Sequence, residues 1–230
     1  MKTPGLIGGM SWESTAVYYR LMNEIIAKRL GGLHSARLLL FSVDFDVIER
    51  AQSEGRWDDA ADLLGNAGIA LKNAGADFLV LCTNTMHRVA GRIERLAGLP
   101  LLHIGDATGE AVRRLGLKRV GLLGTRYTME GEFYRGRLLE NFGIEVNIPV
   151  EEDRERIHRI IYDELCRGLV LKESRKVVTG IIRKLVKTGS RGIILGCTEI
   201  PLLVQQKDVD VPLFDTTRLH AEAAVESALS

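Results

Sequence analysis

At 230 residues, with 46% hydrophobic and 27% charged side chains, the chain holds enough apolar material for one large or two small domains, which excludes a disordered segment or a stapled mini-protein. Lys and Arg number 31 against 30 Asp and Glu, a formal charge of +1, and the signs are interspersed; this removes the electrostatic motive for nucleic acid or an acidic membrane as partner. No apolar run reaches the ~18 residues of a membrane span, and the start breaks into glycines where a signal peptide needs an apolar stretch, so a cytoplasmic location is expected.

In chain order, short apolar runs alternate with amphipathic stretches. Gly5–Ile7 reads as a first strand and Glu13–Arg29 as a helix closed by Gly31. Leu38–Phe41 reads as a strand, Trp57–Asn73 as a helix ended near Gly75, and Phe78–Leu81 as a strand. Met86–Leu96 is a further helix and Leu101–Ile104 a further strand. The strands lack polar alternation, as strands covered on both faces do. Glycines after the first two helices suit C-terminal caps. Trp12, Tyr18 and Tyr19 belong to the first helix, as core or subunit interface. The charge run Glu151–Arg156 reads as a solvated loop and helix start.

The same order then recurs. Pro4-Gly5-Leu6-Ile7-Gly8-Gly9 is matched by Val120-Gly121-Leu122-Leu123-Gly124-Thr125, with Gly121 lying 116 residues after Gly5. The stretch around Gly75 and Cys82-Thr83 is matched around Gly189 and Gly196-Cys197 at an offset of 114, and Leu99-Pro100 by Val211-Pro212 at 112. Three ordered pairs at a nearly constant offset imply an internal duplication. The expected architecture is therefore α/β: two similar, doubly wound, parallel-sheet (Rossmann-like) halves with the active site in the cleft between them. The first half is placed at residues 1–98 plus 210–230 and the second at residues 99–209.

The strand ends carry Gly8-Gly9-Met10-Ser11, Cys82-Thr83-Asn84-Thr85, Gly124-Thr125 through Thr128, and Gly196-Cys197-Thr198-Glu199. Small residues, hydroxyls and amides at helix starts suit an anionic small molecule, although the same residue types also serve as ordinary N-caps. A dinucleotide fingerprint is not complete, because Ser11-Trp12-Glu13 follows Gly8-Gly9 and no third glycine is present. The cysteines, Cys82, Cys166 and Cys197, include no C-x-x-C pair, so neither a disulfide framework nor a metal site is implied. Aligning Gly75 with Gly189 sets Thr83 opposite Cys197 and Cys82 opposite Gly196; a one-residue slip would pair the two cysteines instead, on the other strand face. The first register keeps the strand lengths equal and is preferred. Cys197, at a helix start that favours thiolate, is then the site thiol, and Cys82 a small buried hydrophobe. Cys166 falls in a helical stretch, Ile157–Arg167. His87 either orients the site or is merely hydrogen-bonded; His34, His103, His158 and His220 read as structural.

At these residues the sequence resembles the pyridoxal-phosphate-independent aspartate/glutamate racemase superfamily. The resemblance rests on Gly8-Gly9-Met10, Asn84-Thr85-x-His87, Leu123-Gly124-Thr125 with Thr128-Met129, and Gly196-Cys197-Thr198-Glu199. Within it, the chain is most similar to broad-specificity amino-acid racemases and L-aspartate/glutamate-specific racemases. The resemblance implies a cofactor-independent isomerase that removes a proton from the α-carbon of an amino acid and returns one to the opposite face. Cys197 is its main acid/base, with Thr83 opposite. Met10, Gln52, Asn84, Thr85, Thr125, Thr198 and Glu199 are the implied substrate-binding residues, with no cofactor and a homodimer as the assembly. The substrate is L-aspartate, L-glutamate or a broader set such as homoserine.

Two positions depart from the family pattern. Thr83 stands where the family has a second cysteine, and Cys166 stands where aspartate-specific members carry a lysine for the distal carboxylate. Arg50 or Arg167 could substitute for that lysine. The departures leave two alternatives open: a single-thiol relative that decarboxylates malonates or isomerises maleate, and an amino-acid-binding protein without turnover.

Overall fold

A computed structural model describes the chain from Met1 to Ser230 and separates into two units, Met1–Ile104 with His220–Ser230, and Gly105–Leu219. The first unit begins with β1 (Pro4–Gly8), α1 (Trp12–Leu30), β2 (Leu39–Ser42), α2 (Phe45–Ser53) and α3 (Trp57–Asn73). It continues through β3 (Phe78–Leu81), a 3-10 turn (Thr85–Val89), α4 (Ala90–Ala97) and β4 (Leu101–Leu102). The second unit carries α5 (Ile104–Arg114, its first residue in the first unit), β5 (Arg119–Gly124), α6 (Arg126–Glu130), α7 (Glu132–Phe142), β6 (Glu145–Asn147) and α8 (Glu151–Arg159). A π turn (Ile160–Glu164) and a 3-10 turn (Leu165–Arg167) extend α8. Then follow α9 (Lys172–Lys187), β7 (Ile193–Gly196), α10 (Ile200–Leu203), β8 (Leu213–Asp215) and α11 (Thr216–Leu229), whose residues from His220 onward return to the first unit.

Each unit is built on one parallel four-stranded sheet, ordered β2-β1-β3-β4 in the first and β6-β5-β7-β8 in the second. The registers correspond: Gly5 pairs with Leu79 and Leu79 with Leu101, while Gly121 pairs with Ile193 and Ile193 with Leu213. The duplication read from sequence is thus a duplication of sheet topology. The domain limits differ from those placed by sequence. Leu101–Leu102, assigned there to the second half, pairs in the first sheet, and Leu213–Asp215, assigned to the first half, pairs in the second.

Alternation along the first sheet sorts its side chains onto two faces. Ile7, Leu79 and Leu81 face a cluster completed by Ala60, Leu64 and Ala67 of α3 and Ile93 and Ala97 of α4. Leu6, Val80 and Cys82 face the opposite cluster, with Tyr18, Met22 and Ile26 of α1 and Ala221, Ala224 and Val225 of α11. Both faces are covered, as in a doubly wound unit. The edge strand β2 departs from the expectation of a strand buried on both faces: Leu40 and Phe41 are exposed, because β2 is a terminal strand of its sheet.

Helix starts follow local chemistry. Ser11 caps α1 by accepting from the Ser14 amide at 3.3 Å, and Gly31 closes it at φ 73° with its N–H on Ala27 O. Asp44 caps α2, a helix the periodicity did not reveal. The helix expected from Met86 begins as a 3-10 turn, since the His87 amide bonds to Asn84 O in the tighter i to i+3 pattern.

Candidate functional site

In the first unit the end of β1 turns through Gly8 and Gly9. A Cβ on Gly9, at φ 96°, would lie 2.2 Å from Val43 O, so backbone of the β2–α2 loop occupies the space a side chain would need. The Gly9 amide donates to Thr15 Oγ1 at 2.9 Å, and that hydroxyl donates onward to Ser11 O at 2.8 Å. Met10 is buried in the same cluster as Ile48, Ala51 and Met86. Gln52 of α2 reaches Met86, its Nε2 lying 3.0 Å from Sδ, and its buried Oε1 has no hydrogen-bond partner in the protein. Met10 and Gln52 therefore come together around Met86, two residues from Asn84.

At the end of β3 the two candidate positions separate. Cys82 is fully buried in the apolar cluster of α1 and α11, and burial alone pushes its thiol far above the ordinary range. Thr83 leaves the strand: its N–H donates to Leu81 O at 2.8 Å and its carbonyl accepts from His87 Nδ1 at 2.7 Å. Asn84 and Thr85 follow, both buried.

In the second unit Gly124 and Gly196 are paired across β5 and β7, and a Cβ on Gly124 would stand 2.7 Å from Gly196 O. The two residues that follow, Thr125 and Cys197, thus leave adjacent strand ends. Thr125 caps α6, accepting from the Thr128 amide at 3.3 Å, with its Oγ1 3.2 Å from Thr128 Oγ1. Glu199, buried, accepts from both Cys197 Sγ at 3.0 Å and Thr198 Oγ1 at 2.7 Å. Sequence reading had Glu199 only as a binding residue; its direct contact with the thiol is a feature that spacing alone could not supply.

One electrostatic expectation is corrected. The helix start expected to favour a Cys197 thiolate is only a single turn, α10. Burial pushes the Cys197 thiol well above its ordinary range, and the Glu199 carboxylate and Cys166 push it further in the same direction. The resting group is a thiol with a carboxylate acceptor in contact. Cys166 itself lies half-buried in the 3-10 turn Leu165–Arg167.

The equivalence of ladder registers, 5 with 121 and 79 with 193, carries residue 83 onto 197. Thr83 and Cys197 are therefore the same position in the two copies of the sheet, and Cys82 corresponds to Gly196. The charged segment Glu151–Arg156 is helical: Arg154 bonds Glu130 at 2.8 Å and Asp153 bonds Lys184 at 2.7 Å. A cavity of about 880 Å3 beside it is lined by Arg126, Glu130, Arg154 and Arg159, and none of the candidate site residues lines it. No helix is long and apolar enough to cross a membrane, and no group of three His, Cys, Asp or Glu side chains is arranged to hold a metal.

The crystal structure of a candidate Asp/Glu racemase from Yersinia pestis matches with a TM-score of 0.94 and 57% identity over 100% of both chains. That of an aspartate racemase homologue from Pyrococcus horikoshii OT3 matches with a TM-score of 0.86 and 35% identity, again over 100% of both. The broad specificity amino-acid racemase RacX of Bacillus subtilis is 20% identical over 98% of each chain. The model of the Asp/Glu/hydantoin racemase family matches residues 7–224. The chain accordingly belongs to the Asp/Glu/hydantoin racemase family and is an isomerase of the amino-acid racemase kind.

Proposed function

We propose that the protein is a cofactor-independent amino-acid racemase in which Cys197 removes or returns the α-proton and Thr83 serves the opposite face. The observation that carries the reading is the shared register position of Thr83 and Cys197, with Glu199 in contact with the thiol. Inversion at carbon needs groups on opposite faces, and a duplicated sheet supplies two copies of one position. Glu199 accepts the Cys197 proton to generate the thiolate base; the substrate ammonium, arriving nearby, offsets the negative charge that otherwise disfavours it. Asn84, Thr85, Thr125 and Thr198 are the donors for the carboxylate whose charge grows in the transition state. Gln52 offers a buried acceptor without a protein partner, suited to a substrate N–H. The substrates are aspartate, glutamate or a wider set such as homoserine; Cys166, standing where aspartate-specific members carry a lysine for the distal carboxylate, favours a neutral side chain, while Arg50 or Arg167 would serve an acidic one.

Thr83 makes the two faces chemically unequal, because a hydroxyl is a far weaker acid and base than a thiol. The enantiomer whose α-hydrogen faces Cys197 should exchange faster. That inequality also favours a second reading, a single-thiol decarboxylase or isomerase of the same fold, or a binding protein. We further propose a cytoplasmic homodimer; the exposed Leu40 and Phe41 of β2, with Trp12 and Tyr19 of α1, support an apolar contact surface.

Proton NMR in D2O with L- and D-amino acids tests the reading. Loss of the α-hydrogen signal with appearance of the opposite enantiomer is the expected result. Binding with no exchange from any amino acid would overturn it in favour of the second reading.

A further inference from the structure

The first unit holds a buried histidine assembly that the proposed proton transfers do not use. His87 Nδ1 lies 2.7 Å from Thr83 O, and its Nε2 lies 3.1 Å from the Ile104 amide nitrogen. A backbone N–H only donates and a carbonyl only accepts, so Nε2 is bare and the ring proton sits on Nδ1. The neighbouring His220 has the opposite tautomer: Nε2 donates to Leu102 O at 2.9 Å, and Nδ1 accepts from the Tyr18 hydroxyl at 2.9 Å. The His87 ring meets those of His103 and His220 edge-on, with centroids 4.6 and 5.6 Å apart. The His103 and His220 rings are the titratable neighbours that bear on it, and the Tyr18 hydroxyl bonds His220. Ile104 is the last residue of the first segment of this unit and His220 the first of the returning one.

Both peptide groups of Thr83 are held, the N–H by Leu81 O and the carbonyl by His87. With both fixed, the direction in which the Thr83 side chain leaves the backbone is fixed as well. We propose that His87 is a positioning residue: as a neutral imidazole protonated on Nδ1, it ties the Thr83 carbonyl to the Ile104 amide and so aims the Thr83 hydroxyl. This rests on the reading in which Thr83 acts on the substrate. A second proton would set an N–H on His87 against the N–H of Ile104. Burial, first, and then His103 and His220 lower the His87 pKa well below its ordinary value, which keeps the required neutral form.

Two variants separate the two bonds. His87→Asn places an amide donor near Nδ1 but reaches Ile104 poorly; His87→Gln reaches the Ile104 amide with its carbonyl oxygen but offers Thr83 O no donor. For α-hydrogen exchange by folded protein, His87→Gln should lose about 10- to 100-fold in kcat with KM little changed, as expected for a misaimed group, and His87→Asn, which keeps the donor to Thr83 O, should lose less. Folded His87→Gln with the kcat of the unsubstituted protein, or equal losses in both variants, would overturn the proposal. Nitrogen-15 NMR of the unsubstituted protein gives a readout independent of turnover: between about pH 6 and pH 8 the His87 ring should show a protonated Nδ1 and a bare Nε2. The reverse tautomer would overturn the proposal. Absence of exchange in the unsubstituted protein with the Nδ1–H tautomer present would instead sink the racemase reading.

Discussion

At the scale of single residues, the contact that matters most is Cys197 Sγ to Glu199 Oε2. On the proposed reading, replacing Cys197 with Ala should lower α-hydrogen exchange by at least about a hundredfold; exchange at the original rate would discard Cys197 as the acid/base. Glu199 acts on the thiol in two opposed ways. It accepts the proton, yet its negative charge adds to the burial that raises the thiol pKa. Glu199→Gln should therefore move the thiolate titration, followed by ultraviolet absorbance, to lower pH, while exchange at neutral pH falls for lack of an acceptor. An upward move would mean that the carboxylate stabilises the thiolate instead.

The positions themselves were readable in the sequence. The offset that aligns Gly75 with Gly189 is the offset of β3 and β7, so the pairing of Thr83 with Cys197 and the place of Cys82 in the core follow from the sequence. What the sequence concealed is who touches whom. The Cys197–Glu199 contact depends on a side-chain direction that a four-letter motif does not encode, and the raised thiol pKa depends on burial. The link from His87 to His220 spans 133 residues and follows no local period.

Among the elements, the long helices α1 and α3 were legible from their periodic faces, while α2 was not, although Asp44 caps it. The bounds of α3 and β3 agree with those read from the apolar pattern, while α2, nine residues long, lacked enough turns to show a period. The repeat also located β4 and β8 better than the domain limits did, since it paired Pro100 with Pro212 and so assigned one strand to each copy. The packing of α1 and α11 on the first sheet makes a pH prediction. His220, buried between them, has its pKa lowered to about 4 from 6.5. A histidine depressed in the folded state binds its proton more readily when unfolded, so the contribution is intact above about pH 6.5 and is lost as pH falls toward 4. The expected loss from this one residue is about 3 kcal/mol, and His87 acts in the same direction. Denaturant midpoints between neutral and acid pH should fall accordingly, and a His220→Gln variant should show a flatter profile.

At the level of the whole molecule, two copies of one sheet order, β2-β1-β3-β4 and β6-β5-β7-β8, differ in how their chain is supplied. The second unit is one continuous segment. The first is not: its core takes Ala221, Ala224, Val225 and Ala228 from the far end of the sequence, and the Lys2 amide bonds to Ala228 O at 2.8 Å. Deleting residues 220–230 should therefore unfold the first unit, exposing Leu6, Tyr18, Met22 and Val80, while the second keeps protected amides in hydrogen exchange. Equal protection in both units after the deletion would refute this. The same discontinuity orders events during synthesis. The part of the chain made first waits longest, because its sheet gains cover on the α1 face only when the last helix emerges. The second unit has its whole sequence by Leu219 and needs nothing made after it.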